Sequence, residues 1–159
     1  MASSDPLDEL EHDHGRLSAL VFEILNALES KLSPPPPVQQ AWLHEHLVEL
    51  REALLLHFAR EEEGLFPFVQ EHFAEAAPRV ADMSVAHDGM CGSITRMAYL
   101  AEPGIDSFAK RIPAITASFT RFLEGYVNHS RIETELVEEL AQRLDAGQRA
   151  ALAELIRGI

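Results

Sequence analysis

Cysteine is nearly missing from this 159-residue chain. Cys91 stands alone, which excludes an internal disulfide framework and fits a reducing compartment. Basic residues are also scarce: 13 Lys and Arg face 26 Asp and Glu, for a formal charge of −13. Such a surface repels nucleic-acid phosphates and anionic lipid headgroups. No apolar run approaches the roughly 18 residues that a membrane span requires. The first residues, MASSDPLDELEHDHG, are acidic and polar where a signal peptide would be basic and then apolar, so a cytoplasmic location is expected. There is no Gly-x-Gly-x-x-Gly, no phosphate-binding P-loop, no Gly-x-Ser-x-Gly nucleophile turn and no paired-cysteine zinc pattern.

What is present favours helix. The chain is 47% hydrophobic, and Leu and Ala dominate over the β-branched residues that suit strands. Its length suits one domain, residues 1–159, with a sizeable core. Helical periodicity breaks at few points. SPPPP (33–37) separates a first helix from a second; Gly64 and Pro67 weaken or end the second. AAPRV (76–80) begins a third helix, EPGID (102–106) ends it, and Pro113 suits the first turn of a fourth. Helices are therefore predicted over about 6–32, 38–65, 78–102 and 113–144, with short pieces near 67–76, 106–111 and 148–158. Four long helices with short connections predict an all-α fold: an up-down antiparallel four-helix bundle with a short C-terminal helix.

Steps of three and four residues trace one apolar seam along each helix. The first carries Leu7, Leu10, His14, Leu17, Val21, Ile24 and Leu28; the second, Leu43, Leu47, Leu50, Leu54, His57 and Glu61. The third carries Val80, Met83, His87, Met90, Ile94 and Met97; the fourth, Phe119, Phe122, Tyr126, His129, Glu133, Leu136 and Leu140. Each seam holds one histidine, and two seams add a glutamate one turn later. Counting residues from the shared breaks, at about 1.5 Å of rise each, puts all four histidines at one height. The other histidines form a contrast: His12, His44 and His46 fall off the seams and are expected in solvent, and His72 lies beyond Gly64, where the register is undefined.

Four imidazoles and two carboxylates facing each other in a core are costly, since a buried unpaired carboxylate costs several kcal/mol. No seam Lys or Arg lies in the layer to offset them. Metal cations resolve the cost. The i and i+4 side chains of His-x-x-x-Glu share a face, so one helix offers a nitrogen and an oxygen to one site. Two glutamates from different helices can bridge two ions, and mixed His/carboxylate sets in bundle cores are typical of di-iron and di-manganese proteins. The competing reading of any one of these residues is a satisfied core histidine or a surface i,i+4 pair. The conjunction of two such pairs, two further seam histidines and a common height favours metal.

From about Leu7 to Leu144 the chain resembles the hemerythrin-like, or HHE cation-binding, family. The resemblance rests on His14 in HDHGRL, His57 and Glu61 in HFAREEEGLFP, His87 in AHDGM, and His129 and Glu133 in NHSRIE. It implies an up-down bundle around a carboxylate-bridged centre of two irons, with the four histidines as terminal ligands and Glu61 and Glu133 as bridges. It also implies dioxygen, peroxide or nitric oxide as the small ligand, in storage, sensing or detoxification. The chain departs from the oxygen carriers of that family at Cys91, four residues after His87, where they have a fifth histidine, and at Glu133, where they have an aspartate. Cys91 is then either a ligand or a small buried thiol, and Glu62 either an extra ligand or a solvent-facing group, as Glu63 is expected to be. The missing histidine disfavours reversible oxygen carriage and leaves two other functions open. One is an enzyme consuming peroxide or repairing iron–sulfur clusters; the other is a bundle that metal merely stabilises and whose acidic surface meets a protein partner. Leu17, Leu54, Met83, Met90 and Phe122 are expected to wall the layer. Tyr126 either reaches a small ligand there or, as a core tyrosine, bonds a neighbour. Asp13 and Asp88 either orient ligand histidines or face water.

Overall fold

The computed structural model describes residues 5–29, 36–104 and 107–159, and among them only helices and turns form. The long helices are α1 (Pro6–Glu29), α2 (Pro36–Ala59), α4 (Ala77–Leu100) and α5 (Phe108–Arg143). Between α2 and α4 lie a π-helical turn (Arg60–Leu65), the short α3 (Phe66–His72) and a 3-10 turn (Ala74–Ala76); α6 (Ala146–Arg157) closes the chain. In α1 the first turn is held by Asp5, whose carboxylate accepts from the Leu7 amide at 3.1 Å. A full capping box starts α6: Asp145 accepts from the Gln148 amide while the Gln148 side chain accepts from the Asp145 amide.

Two expectations about the breaks change. Gly64 and Pro67 do not end the second helix. Leu65 and Phe66 keep right-handed helical angles, and the Phe66 amide bonds the carbonyl of Glu61, five residues back. Pro67 has no N–H for the carbonyl of Glu63, so a regular ladder cannot pass through it; the wider π turn carries the chain past that gap. Gly64 serves packing instead: a Cβ there would lie 3.2 Å from Ile156 of α6. Pro113 lies inside α5 rather than in its first turn, because α5 starts at Phe108 and absorbs residues 108–111 of the short piece expected near 106–111. Most of the SPPPP break and residues 105–106 of EPGID, with residue 106 of that piece, lie outside the described residues.

α1 packs on α2 and α5, and α4 on the same two. All the seam positions are buried except His14 and Leu28, which are half-buried. The core divides in two. One cluster, with Leu17, Ile24, Leu47, Leu54, Ile94 and Phe122, fills the space among the long helices. The other, with Leu10, Leu65, Phe68, Met83, Leu136, Leu152 and Ile156, adds α3 and α6. Along every long helix the histidine sits where one cluster gives way to the other: between Leu10 and Leu17, Leu54 and Leu65, Met83 and Met90, Phe122 and Leu136. A polar layer is thus closed above and below by hydrocarbon, and the five expected wall residues are all buried in these clusters.

Candidate metal centre

Glu61 and Glu133 are fully buried, and His57, His87 and His129 are exposed by 3% or less. His14 is the exception, with 20% of its side chain exposed. One donor atom from each of His57, Glu61, His129 and Glu133 lies within 4.8 Å of all the others. His14 and His87 join at the edges: His14 Nε2 is 2.6 Å from Glu133 Oε2, and His87 Nε2 is 3.0 Å from Glu61 Oε2. His57 and His129 each face both carboxylates, at 3.6 and 3.4 Å for His57 and 3.5 and 3.2 Å for His129. The rings form two edge-on pairs, His14 with His57 at 4.8 Å and His87 with His129 at 4.7 Å. All six expected residues therefore come together, each imidazole presenting Nε2 inward.

The donor set fits a cation better than it fits itself. Both oxygens of Glu61, Oε1 of Glu133, and Nε2 of His87 and His129 are buried without an aligned hydrogen-bond partner. Buried polar atoms in native cores almost always have partners, and each orphan costs on the order of 1–3 kcal/mol. Without metal, protons fill part of the gap. Burial alone would depress the His57 imidazole, but hydrogen bonds to Asp13 and Glu133 and the charge of Glu61 outweigh it and push it up to about 10. His129 follows the same logic: burial pulls down, Glu133 and Glu61 pull up more, and it reaches about 9. Burial would raise the Glu133 carboxyl, yet His129, His14 and His57 hold it well below the usual carboxylate range. A metal ion would take the place of those imidazole protons.

Outside the layer sit groups that the seam pattern did not assign. Asp13 is not simply solvated: its Oδ2 is 3.4 Å from His57 Nδ1, and Arg60 holds both its oxygens at 2.8 and 2.6 Å. Glu62 is solvent-exposed, as the second of its two alternatives had it, and also places Oε1 2.6 Å from His87 Nδ1. Phe58 lies 3.7 Å from the His87 ring and Phe66 5.6 Å, both nearly parallel to it. Asp88 and Glu63 do face solvent. The one signal that could have pointed to Glu62 and Arg60 is Pro67, whose missing N–H interrupts the regular ladder next to the π turn that carries them. Cys91 is half-buried and outside the cluster; burial, then the charges of Glu62 and Asp88, push its thiol up, which keeps it protonated. Tyr126 donates to or accepts from Ser18 Oγ at 2.9 Å, as a core tyrosine would. His12 is exposed as expected of an off-seam group, but His46 is half-buried, stacked 3.7 Å from Trp42, and His44 is half-buried too; His72, whose register was undefined, is exposed.

Two cavities differ in their bearing on access. A small one of about 50 Å³ lies against His14, lined by Glu11, Thr134, Val137 and Glu138. An apolar one of about 280 Å³ between Leu28, Trp42 and Phe108 holds no titratable group and is remote from the layer. Among the described residues no helix is long and apolar enough to cross a membrane. The model of the hemerythrin HHE cation binding domain matches residues 5–141. No curated protein and no solved structure matches the chain significantly.

Proposed function

The chain belongs to the hemerythrin HHE cation-binding family, and we propose that its polar layer holds two iron ions that meet dioxygen, peroxide or nitric oxide. His14, His57, His87 and His129 serve as terminal nitrogen ligands and Glu61 and Glu133 as bridges. The two edge-on ring pairs would each hold one ion, and both carboxylates lie within reach of both pairs. Iron held by these residues would supply redox chemistry toward such a small ligand. The protein holds the imidazoles with Nε2 inward, excludes bulk water with two apolar clusters, and leaves the His14 edge as the approach for a small molecule. An up-down antiparallel arrangement of the four long helices goes with this reading, and the contacts of His14 with Glu133 and Ser18 with Tyr126, which run in opposite chain directions, support it for α1 and α5. A lone thiol that stays protonated suits a reducing, cytoplasmic setting.

The single observation that carries this reading is the set of buried donor atoms with no aligned partner, contributed by the π turn, α4 and α5. Anaerobic iron loading, with stoichiometry and visible absorption followed on admission of oxygen, tests it. Two irons per chain and an oxo-bridge band are expected. A band that disappears on deoxygenation would mark carriage, and irreversible oxidation would mark sensing or catalysis. Less than one iron per chain would refute the di-iron centre.

A further inference from the structure

Arg60, Glu61 and Glu62 are consecutive, yet all three act on the polar layer. In an α-helix successive side chains diverge by about 100°, and two neighbours of an inward residue point well away from it. Here the three residues lie in the π-helical turn, whose five-residue hydrogen-bond spacing spreads them over a smaller angle. Glu61 points inward and is fully buried. Glu62 reaches round one side and meets Nδ1 of His87 at 2.6 Å, while Glu61 meets Nε2 of that imidazole at 3.0 Å. Arg60 reaches round the other side, grips both oxygens of Asp13, and so holds Asp13 against Nδ1 of His57.

We propose that the π turn is a positioning device, in which Arg60 and Glu62 fix the ring orientation and donor strength of His57 and His87 while Glu61 serves the site directly. This inference rests on the metal-centre reading above. Its physical basis is general: a ligand imidazole that donates its outer N–H to a carboxylate is locked in the tautomer that offers a bare inner nitrogen, and becomes a stronger donor. The arrangement is selective. Each ring pair has one histidine backed by a carboxylate, His57 in one and His87 in the other, whereas Nδ1 of the buried His129 has no partner. Glu62 acts directly on its histidine and Arg60 acts through Asp13.

Cobalt(II) titration, read by affinity and by d–d absorption, tests the proposal. The unaltered protein is expected to take up cobalt, and Glu62→Ala to weaken uptake about 10- to 100-fold and shift the absorption. Glu62→Gln keeps a carbonyl that accepts from Nδ1–H and is expected to restore most of the loss, while Glu63→Ala leaves affinity unchanged. Arg60→Ala is expected to move in the same direction as Glu62→Ala. Glu62 is solvent-exposed, so the metal-free Glu62→Ala protein should melt with the unaltered one, separating lost affinity from lost fold. Wild-type affinity and spectrum in Glu62→Ala would overturn the proposal, as would an equal loss in Glu63→Ala, which would reduce the effect to general charge. If the unaltered protein takes up no cobalt, the metal-centre reading itself fails.

Discussion

The two ring pairs of the polar layer are alike in distance and unlike in surroundings. His14 and His57 stand 4.8 Å apart on α1 and α2, next to a small cavity and an Asp13–Arg60 ion pair, and His14 is 20% exposed. His87 and His129 stand 4.7 Å apart on α4 and α5, and both are nearly inaccessible, with Phe58 and Phe66 against His87. Geometry for holding an ion is thus repeated, while access is given to one half only. The wet half suits exchange with solvent and the dry half suits retention, because electrostatic interactions strengthen as water is excluded.

The largest expected effect separates the halves by deletion. His87→Ala removes a ring packed on three others in a closed space, and the metal-free protein is expected to lose about 2–4 kcal/mol of stability, as large-to-small core changes do. His14→Ala opens onto the cavity beside Glu11 and Glu138, where water can enter, and is expected to cost less than about 1 kcal/mol. Each variant is expected to retain one strongly bound ion. Chemical unfolding in chelator, with metal analysis alongside, checks both. Equal losses of stability would erase the distinction between a wet and a dry half.

A second test uses protons. Without metal, His57 in one half is raised to about 10 and His129 in the other to about 9, and His57 alone has Asp13 behind it. Folded values above the unfolded one of 6.5 stabilise the fold fully below pH 6.5, and that contribution is lost as pH rises through about 9 and then about 10. Glu133 works the other way: its lowered value stabilises above about 4.5 and is lost on acidification. The chelated protein is therefore expected to be most resistant to urea between about pH 4.5 and 6.5 and to weaken steadily toward pH 10. With metal bound, the inner nitrogens have no proton to lose, and that decline should vanish. Asp13→Asn should bring the upper end of the decline down toward that of His129. A urea midpoint in chelator that rises between pH 7 and 10 would contradict the arrangement.

The same contrast explains what could be read from the residues. Seam periodicity needs only the helical repeat, so the six inward residues and the five apolar wall residues were legible from spacing, whereas the division of the core into two clusters was not. Groups behind the ligands depend on the exact phase of each helix. Asp13 adjoins His14 in sequence but serves His57 on another helix, and Glu62 turns toward His87 only because the helix widens at Arg60–Leu65. A proline and a glycine read as breakers concealed that widening. Pro67 shapes the ladder and Gly64 admits α6, and neither ends the helix.

The smallest effect concerns the tie between the halves. Tyr126 of α5 and Ser18 of α1 share a hydrogen bond of 2.9 Å, so one helix from each ring pair is joined just outside the layer. Tyr126 is buried but Ser18 is exposed, and a bond with one wet partner belongs at the lower end of the usual 0.5–1.5 kcal/mol range, roughly 0.5. Tyr126→Phe is accordingly expected to lower the thermal midpoint by a few degrees or less and to leave the visible spectrum of the iron-loaded protein unchanged. A hydroxyl that served the centre would show the reverse: stability nearly intact and the spectrum altered. Because the ring itself stays, packing against Phe122 at 5.9 Å is preserved, and the comparison isolates the one oxygen.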